Sequence, residues 1–299
     1  MCCQRQLPRT FAVSAGTVTC RALPLRPRSA RQPRLQSTRP RSAKFAPGMP
    51  TAAGASKTCC CRFSDMPVWG LIQARMGSSR LPGKVMMPLA GHPLVWHIAK
   101  RLHTMPGLAG IVLATTTDPR NDPMVEFMKG EGATVTRSPY EDDIADRLCR
   151  ALDATGADTF VKVNADCPLF DPDLAQELLA KFQAANADFA TNKLTPSYPL
   201  GYSLEIIGAR AIRWCDEHLT EGSDREMMIK WIMDHAGDFT VAAMQSPVDL
   251  SSLNLTVDTP ADYELMSQIF SALFVPGTHF GLAKVVDYLS VEKVAAGVP

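Results

Sequence analysis

The chain has 299 residues, 46% of them hydrophobic, enough to bury a sizeable core in one globular domain. Its formal net charge of +1 joins two unlike parts: residues 1–64 carry twelve Lys/Arg and no acid, and the remainder carries nineteen basic against thirty acidic residues. A body that acidic excludes a general electrostatic case for nucleic-acid binding, and no apolar run approaches the ~20 residues of a membrane-spanning helix.

In chain order, the first segment is a basic leader over residues 1–65, rich in Arg, Ser, Ala and Pro, with Asp65 its first acid. That composition matches an organellar transit peptide, and the segment lacks the continuous apolar stretch of a secretory signal. Pro24, Pro27, Pro33 and Pro40 argue against a stable helix there. Met66 directly precedes the first predicted strand, so translation starting at Met66 is an equal alternative. The first reading places the protein in a plastid or mitochondrion, the second in the cytoplasm. The run Cys59–Cys61 has no second cluster at zinc spacing. Cys149, Cys167 and Cys215 in the body form no CxxC pair, which fits a reduced compartment.

Residues 66–299 read as one domain. Val68–Gln73, Ile111–Thr115, Thr134–Thr136 and Thr159–Val163 are predicted strands, and Leu94–Thr104, Pro123–Glu131 and Ile144–Thr155 predicted helices between them. Glu141 to Asp143 favour a helix start and Gly156 a stop. Such alternation predicts right-handed βαβ units, an α/β fold with a mainly parallel sheet and helices on both faces. Beyond Ala190 the pattern loosens: Leu194–Gly201 is a loop, Tyr202–Ile207, Phe239–Met244 and Leu253–Val257 are predicted strands. Ala209–His218, Arg225–His235 and Pro260–Phe270 are predicted helices, the last with Pro260 in its first turn.

The segment IQARMGSSRLPGK (72–84) puts Arg75, Arg80, Lys84, two glycines and two serines between a strand and a helix. Backbone N–H groups and cationic side chains in such a loop can hold phosphate oxygens; a solvated basic turn is the plainer alternative. It is no P-loop, because five residues separate Gly77 from Gly83 and Val85, without a hydroxyl, follows Lys84. No GxGxxG follows the strand. Asp166 lies just past a predicted strand, facing the phosphate loop, where a carboxylate suits magnesium; a turn-forming Asp before Cys167–Pro168 reads as well. Asp258 repeats the arrangement, with a helix start as its alternative and Asp262 as support for that start. Glu141, Asp142, Asp143, Asp146 and Arg147 also fit a solvated helix start, and His92, His97 and His103 read as surface or packing residues.

The ordered set RMGSSRLPGK, PLAGHPL, NADCPLFDP (164–172), YPLGYSLE (198–205) and LTVDTPADYEL (255–265) resembles the cytidylyltransferase family typified by the spore coat polysaccharide biosynthesis protein F. That family is related to the synthetases that make CMP-Kdo and CMP-sialic acids. The resemblance runs from about Val68 to about Phe274. It implies a three-layer Rossmann-like fold of the nucleotide-diphospho-sugar transferase kind and transfer of CMP from CTP to a sugar hydroxyl with release of pyrophosphate, for polysaccharide or glycan precursors. It further implies Mg2+ on Asp166 and Asp258, with Arg75 and Lys84 on the triphosphate. Gln73, Ala74, Gly77, Ser78 and Arg80, with Asp146 and Arg147 near base and ribose, would complete the nucleotide site. Tyr198, Gly201 and Glu205 would line the acceptor sugar. Met227 departs from the family, where a histidine commonly follows the glutamate of the Arg225–Glu226 segment, so the acceptor stays open. Three alternatives remain: a sugar nucleotidyltransferase using UTP or GTP, a GT-A-like glycosyltransferase, and a non-catalytic binding subunit of the same fold. A homodimer is one option for its assembly.

Overall fold

The computed structural model describes residues 67–295, so the leader of residues 1–65 and the alternative start at Met66 lie outside the described residues. β1 (Val68–Gln73) runs into the loop of interest, and a two-residue-per-strand hairpin, β2 (Pro88–Leu89) and β3 (His92–Pro93), leads to α1 (Leu94–His103). Then follow β4 (Leu108–Thr116), α2 (Asp122–Gly130), β5 (Thr134–Ser138), α3 (Ile144–Thr155) and β6 (Thr159–Asn164). The second half contributes α4 (Pro172–Ala184), β7 (Phe189–Thr191), β8 (Glu205–Gly208), α5 (Ala209–His218), α6 (Gly222–Glu226) and α7 (Met228–Asp234). It ends with β9 (Val241–Ala243), α8 (Pro260–Leu273) and α9 (Leu282–Ala295).

Seven strands form one sheet in the order β5-β4-β1-β6-β8-β7-β9. All pairings are parallel except those of β8, which runs antiparallel to both β6 and β7. Successive residues of the central strands face opposite layers: Leu71 and Phe160 join one core, Ile72 and Val161 the other. Strands buried on both faces are therefore nearly continuous in apolar residues. α1, α2, α4 and α8 pack on one face, and α3, α5 and α7 on the other, giving the three layers. No helix among the described residues is long and apolar enough to cross a membrane.

The helix ends follow local chemistry. Asp143 caps α3 by accepting from the Asp146 N–H, and Gly156, at φ 63°, closes it in the left-handed region. Thr259 and Asp262 form a reciprocal capping box on α8, as expected of Asp262.

Several elements differ from the sequence-based expectation. Leu253–Val257 is not a strand but makes a single bridge, Leu200 to Asn254, because its N–H groups are divided between loops: Leu255 donates to Leu200 and Val257 to Asp166. β8 begins only at Glu205, since the Asn192 side chain takes the Tyr202 carbonyl and the Leu204 N–H that a longer ladder would use. The helix expected over Arg225–His235 is two, divided at Met227, whose φ/ψ of −101°/27° leaves the helical region. α4, β7 and α9 were not anticipated. α4 is announced by Asp171–Pro172, a cap followed by proline in the first turn.

Candidate active site

β4 and β5 lie to one side of β1 and β6 to the other, so the chain reverses direction across the sheet at β1. Open α/β sheets bind ligands at the carboxyl ends of strands beside such a switch. The loop after β1 folds back on the Met76 carbonyl, which accepts from the N–H groups of Ser78 (3.0 Å) and Gly83 (3.1 Å). The Asn121 side chain accepts from the Met76 N–H at 2.8 Å and pins its start. Gly83, at φ 72°, makes the turn that delivers Lys84 inward.

A cleft of about 480 Å³ results. The first loop contributes Gln73, Ala74, Arg75, Gly77, Ser78, Arg80 and Lys84 to it. Glu141, Asp142 and Arg147 come from the start of α3, Asn164 and Asp166 from the end of β6, and Asp258 from just before α8. The Val257 N–H donates to the Asp166 carbonyl at 2.9 Å, tying together the two loops that carry Asp166 and Asp258.

Lys84 sits between those carboxylates. Its Nζ donates to the Val257 carbonyl at 2.7 Å and to Asp258 Oδ1 at 2.8 Å, and lies 4.0 Å from Asp166 Oδ2. Arg80 reaches Asp258 at 2.9 Å from the solvent side. Burial pushes the Asp258 carboxyl up, but the hydrogen bond and charge of Lys84, with Arg80 and Thr256, outweigh it and hold the group below its usual value. Arg75 Nη1 pairs with Glu141 (3.0 Å) and Asp142 (3.2 Å) at the exposed rim. Arg147 Nη2 donates to the Glu141 carbonyl at 2.6 Å. Burial lowers its guanidinium, and the charge of Arg75 adds to the effect. Two buried polar atoms of the wall, Arg147 Nε and Gln73 Oε1, have no partner. The Cys167 thiol lies 3.2 Å from Asp166 Oδ1, and burial together with the Asp166 charge pushes it well up, so it stays a thiol.

Ten of the residues singled out in the sequence therefore share one cleft: Gln73, Ala74, Arg75, Gly77, Ser78, Arg80, Lys84, Arg147, Asp166 and Asp258. Asp146 does not line it. Its carboxylate accepts from Ser138 Oγ and Arg150 Nε, both at 2.6 Å. Tyr198, Gly201 and Glu205 do not line it either. Tyr198 is half-buried against the core. Gly201, at φ 100°, has no room for a side chain, since a Cβ would fall 2.3 Å from the Leu255 carbonyl oxygen. Glu205 is buried between Lys162 (2.6 Å) and Lys193 (3.0 Å). Burial alone would raise its carboxyl, but the two lysines bring it down to about 2. Lys162 Nζ also donates to Asn164 Oδ1 at 2.8 Å, so Glu205 reaches the cleft wall only through that lysine. Asn164 and Glu226 line the cleft without having been selected from the sequence. Asn164 opens the NADCP segment and was readable there; Glu226 was named only as the glutamate before the Met227 departure, with no role given to it.

Residues 69–211 match a family model described as Cytidylyltransferase. The spore coat polysaccharide biosynthesis protein SpsF of Bacillus subtilis is 25% identical over 207 residues, covering 67% of this chain and 85% of that protein. The 3-deoxy-manno-octulosonate cytidylyltransferase of Mesorhizobium japonicum is 36% identical over 127 residues, 40% of this chain and 50% of that one. Among solved structures, a cytidylyltransferase from Leptospira borgpetersenii superposes with a TM-score of 0.70 at 26% identity, over 78% of this chain and 96% of that one.

Proposed function

We propose that this chain, whose residues 69–211 match the cytidylyltransferase model, transfers CMP from CTP to a sugar hydroxyl, with magnesium at the site. The hydroxyl oxygen attacks the α-phosphorus, the α–β anhydride bond breaks, pyrophosphate leaves, and the hydroxyl proton is lost to solvent. Such a displacement needs in-line positioning and charge neutralisation more than a covalent intermediate. The observation that carries the proposal is Lys84, buried at the base of the phosphate loop within 4.0 Å of two carboxylates from two other loops.

Each residue then has a task. Arg75 and Arg80 offer planar forks to phosphate oxygens, and Lys84 a point charge to the departing pyrophosphate. Arg147 and Gln73, on the cleft wall, offer a donor and an amide to the nucleoside. Asn164 and Glu226, on the remaining wall, supply contacts to the acceptor. The donor set suits magnesium, which takes one or two carboxylates and completes its shell with water and phosphate oxygens. Among the described residues no group of three or more His, Cys, Asp or Glu gathers for a metal, so Asp166 and Asp258 would hold the ion together with the substrate's phosphates. When bound, the ion supplies charge neutralisation at the reacting phosphate. Residues 66–299 would form the transferase domain and residues 1–65 an appendage to it.

Thermal unfolding of the full chain with CTP, UTP, GTP or ATP, with and without magnesium, tests the proposal. A nucleotide at ~100 times its dissociation constant adds about 2.7 kcal/mol of stability. A magnesium-dependent shift with CTP that Asp166→Asn loses is the expected outcome. A shift with another nucleotide would change the donor, and an active Asp166→Asn enzyme would remove Asp166 from metal binding.

A further inference from the structure

A second cavity, of about 370 Å³, opens between α1, the C-terminal half of α8 and residues 277–280, and shares no lining residue with the cleft. Its walls are aromatic: Trp96, His97, Phe270, Phe274 and Phe280. The His97 and Phe270 rings meet at 4.5 Å between centroids, and Phe270 and Phe280 at 5.4 Å. Sites for small molecules occupy roughly 300–1,000 Å³, so this one admits a ligand of one or two rings.

Its charge is one-sided. Arg101 and Lys100 line the cavity and no carboxylate does. Lys100 is already paired with Glu131 at 2.9 Å, at the surface. Arg101 is only 5% exposed, with its guanidinium 4.4 Å from the Phe280 ring centroid. Its Nη1 donates to the carbonyls of Phe170 (3.2 Å) and Phe280 (2.9 Å). Among the described residues its Nε and Nη2 have no hydrogen-bond partner, and no carboxylate lies within 4.0 Å of it. The buried Tyr202 and the Asp171 carboxylate face it from further off, and the Asp171 oxygens also accept from the N–H groups of Asp173, Leu174 and Leu282. His97 adds none: burial brings its imidazole down to about 4, and its Nε2 lies 2.7 Å from the Leu89 carbonyl oxygen. A buried cation with no carboxylate in direct contact is costly, and here Arg101 forms part of the wall of an otherwise aromatic cavity.

We propose that this cavity binds a small aromatic carboxylate, its ring among Trp96, Phe270 and Phe274 and its carboxylate on Nε and Nη2 of Arg101. An inorganic anion would leave the aromatic walls unfilled, and a neutral aromatic would leave the arginine unpaired, so the two halves of the site call for both features in one ligand.

Calorimetric titration of the full chain with naphthoate and with naphthamide tests it. The acid should bind about tenfold or more tighter than the amide, as a charge-assisted hydrogen bond predicts. Arg101→Met should erase that preference. Because Arg101 also supports two carbonyls, that variant could fail to fold, and Thr278→Glu at the exposed rim supplies the second arm. It sets a carboxylate beside the cavity and should weaken the acid about tenfold while leaving the amide unchanged. No binding of either probe at millimolar concentration, equal affinities, or an acid affinity that Thr278→Glu does not move would each overturn the proposal.

Discussion

Glu205→Gln separates a carboxylate that supports the fold from one that touches the acceptor sugar. Glu205 is buried and holds Lys162, itself 4% exposed, directly across the β6–β8 pairing. Its carboxyl sits at about 2 against an unperturbed 4.5, a gap worth about 3 kcal/mol of stability. The folded value is depressed, so the contribution is complete above the unfolded pKa and is lost as pH falls through the folded one. By pH 3, about 2 kcal/mol of it should be gone. Replacing Glu205 by Gln leaves Lys162 buried without a carboxylate, which costs about 3–5 kcal/mol in comparable buried pairs. Urea unfolding of the two proteins at neutral pH and near pH 3 should show a gap of a few kcal/mol that narrows in acid. A gap independent of pH would refute the electrostatic origin. A stable Glu205→Gln protein with weakened sugar binding would return Glu205 to the acceptor site.

Three further outcomes follow from the same geometry. Arg75→Ala removes only an exposed rim pair, so stability should stay within about 0.5 kcal/mol while CTP affinity, read by calorimetry, falls about tenfold. Asp146→Asn should leave the CTP dissociation constant unchanged within about twofold, because that carboxylate points to Ser138 and Arg150 rather than into the cleft. Gly201→Ala must strain the φ 100° backbone and displace the Leu255 carbonyl; it should cost at least about 1–3 kcal/mol in chemical denaturation and weaken metal and nucleotide binding through the segment leading to Asp258.

The order of elements from β1 to β6 was legible because strands buried on both faces and helices buried on one have different periods, and the caps at Asp143 and Gly156 mark their ends. The cleft was legible for the same reason: once β1 and β6 are parallel neighbours, the loops after them share one edge of the sheet. The tail of the domain was not, because its short elements are fixed by side-chain and loop-backbone bonds over distance. Asn192 on the 202–204 backbone and Val257 on Asp166 leave no periodic trace.

Side-chain direction is where motif reading and geometry part. Asp146 and Arg147 are adjacent in one motif, yet adjacent residues of a helix point about 100° apart, so Arg147 lines the cleft while Asp146 turns to Ser138. In β6 the period of two puts Lys162 and Asn164 on the same face, and the β1 register sets Asn164 opposite Gln73. Two amides therefore stand side by side on the cleft wall, with the buried Lys162 bonded to Asn164 and Glu205 bonded to Lys162. Glu205, expected at the sugar, is thus one bond removed from the residue that lines the cleft. Only the antiparallel register of β8 on β6, a pairing 43 residues apart in sequence, places it there.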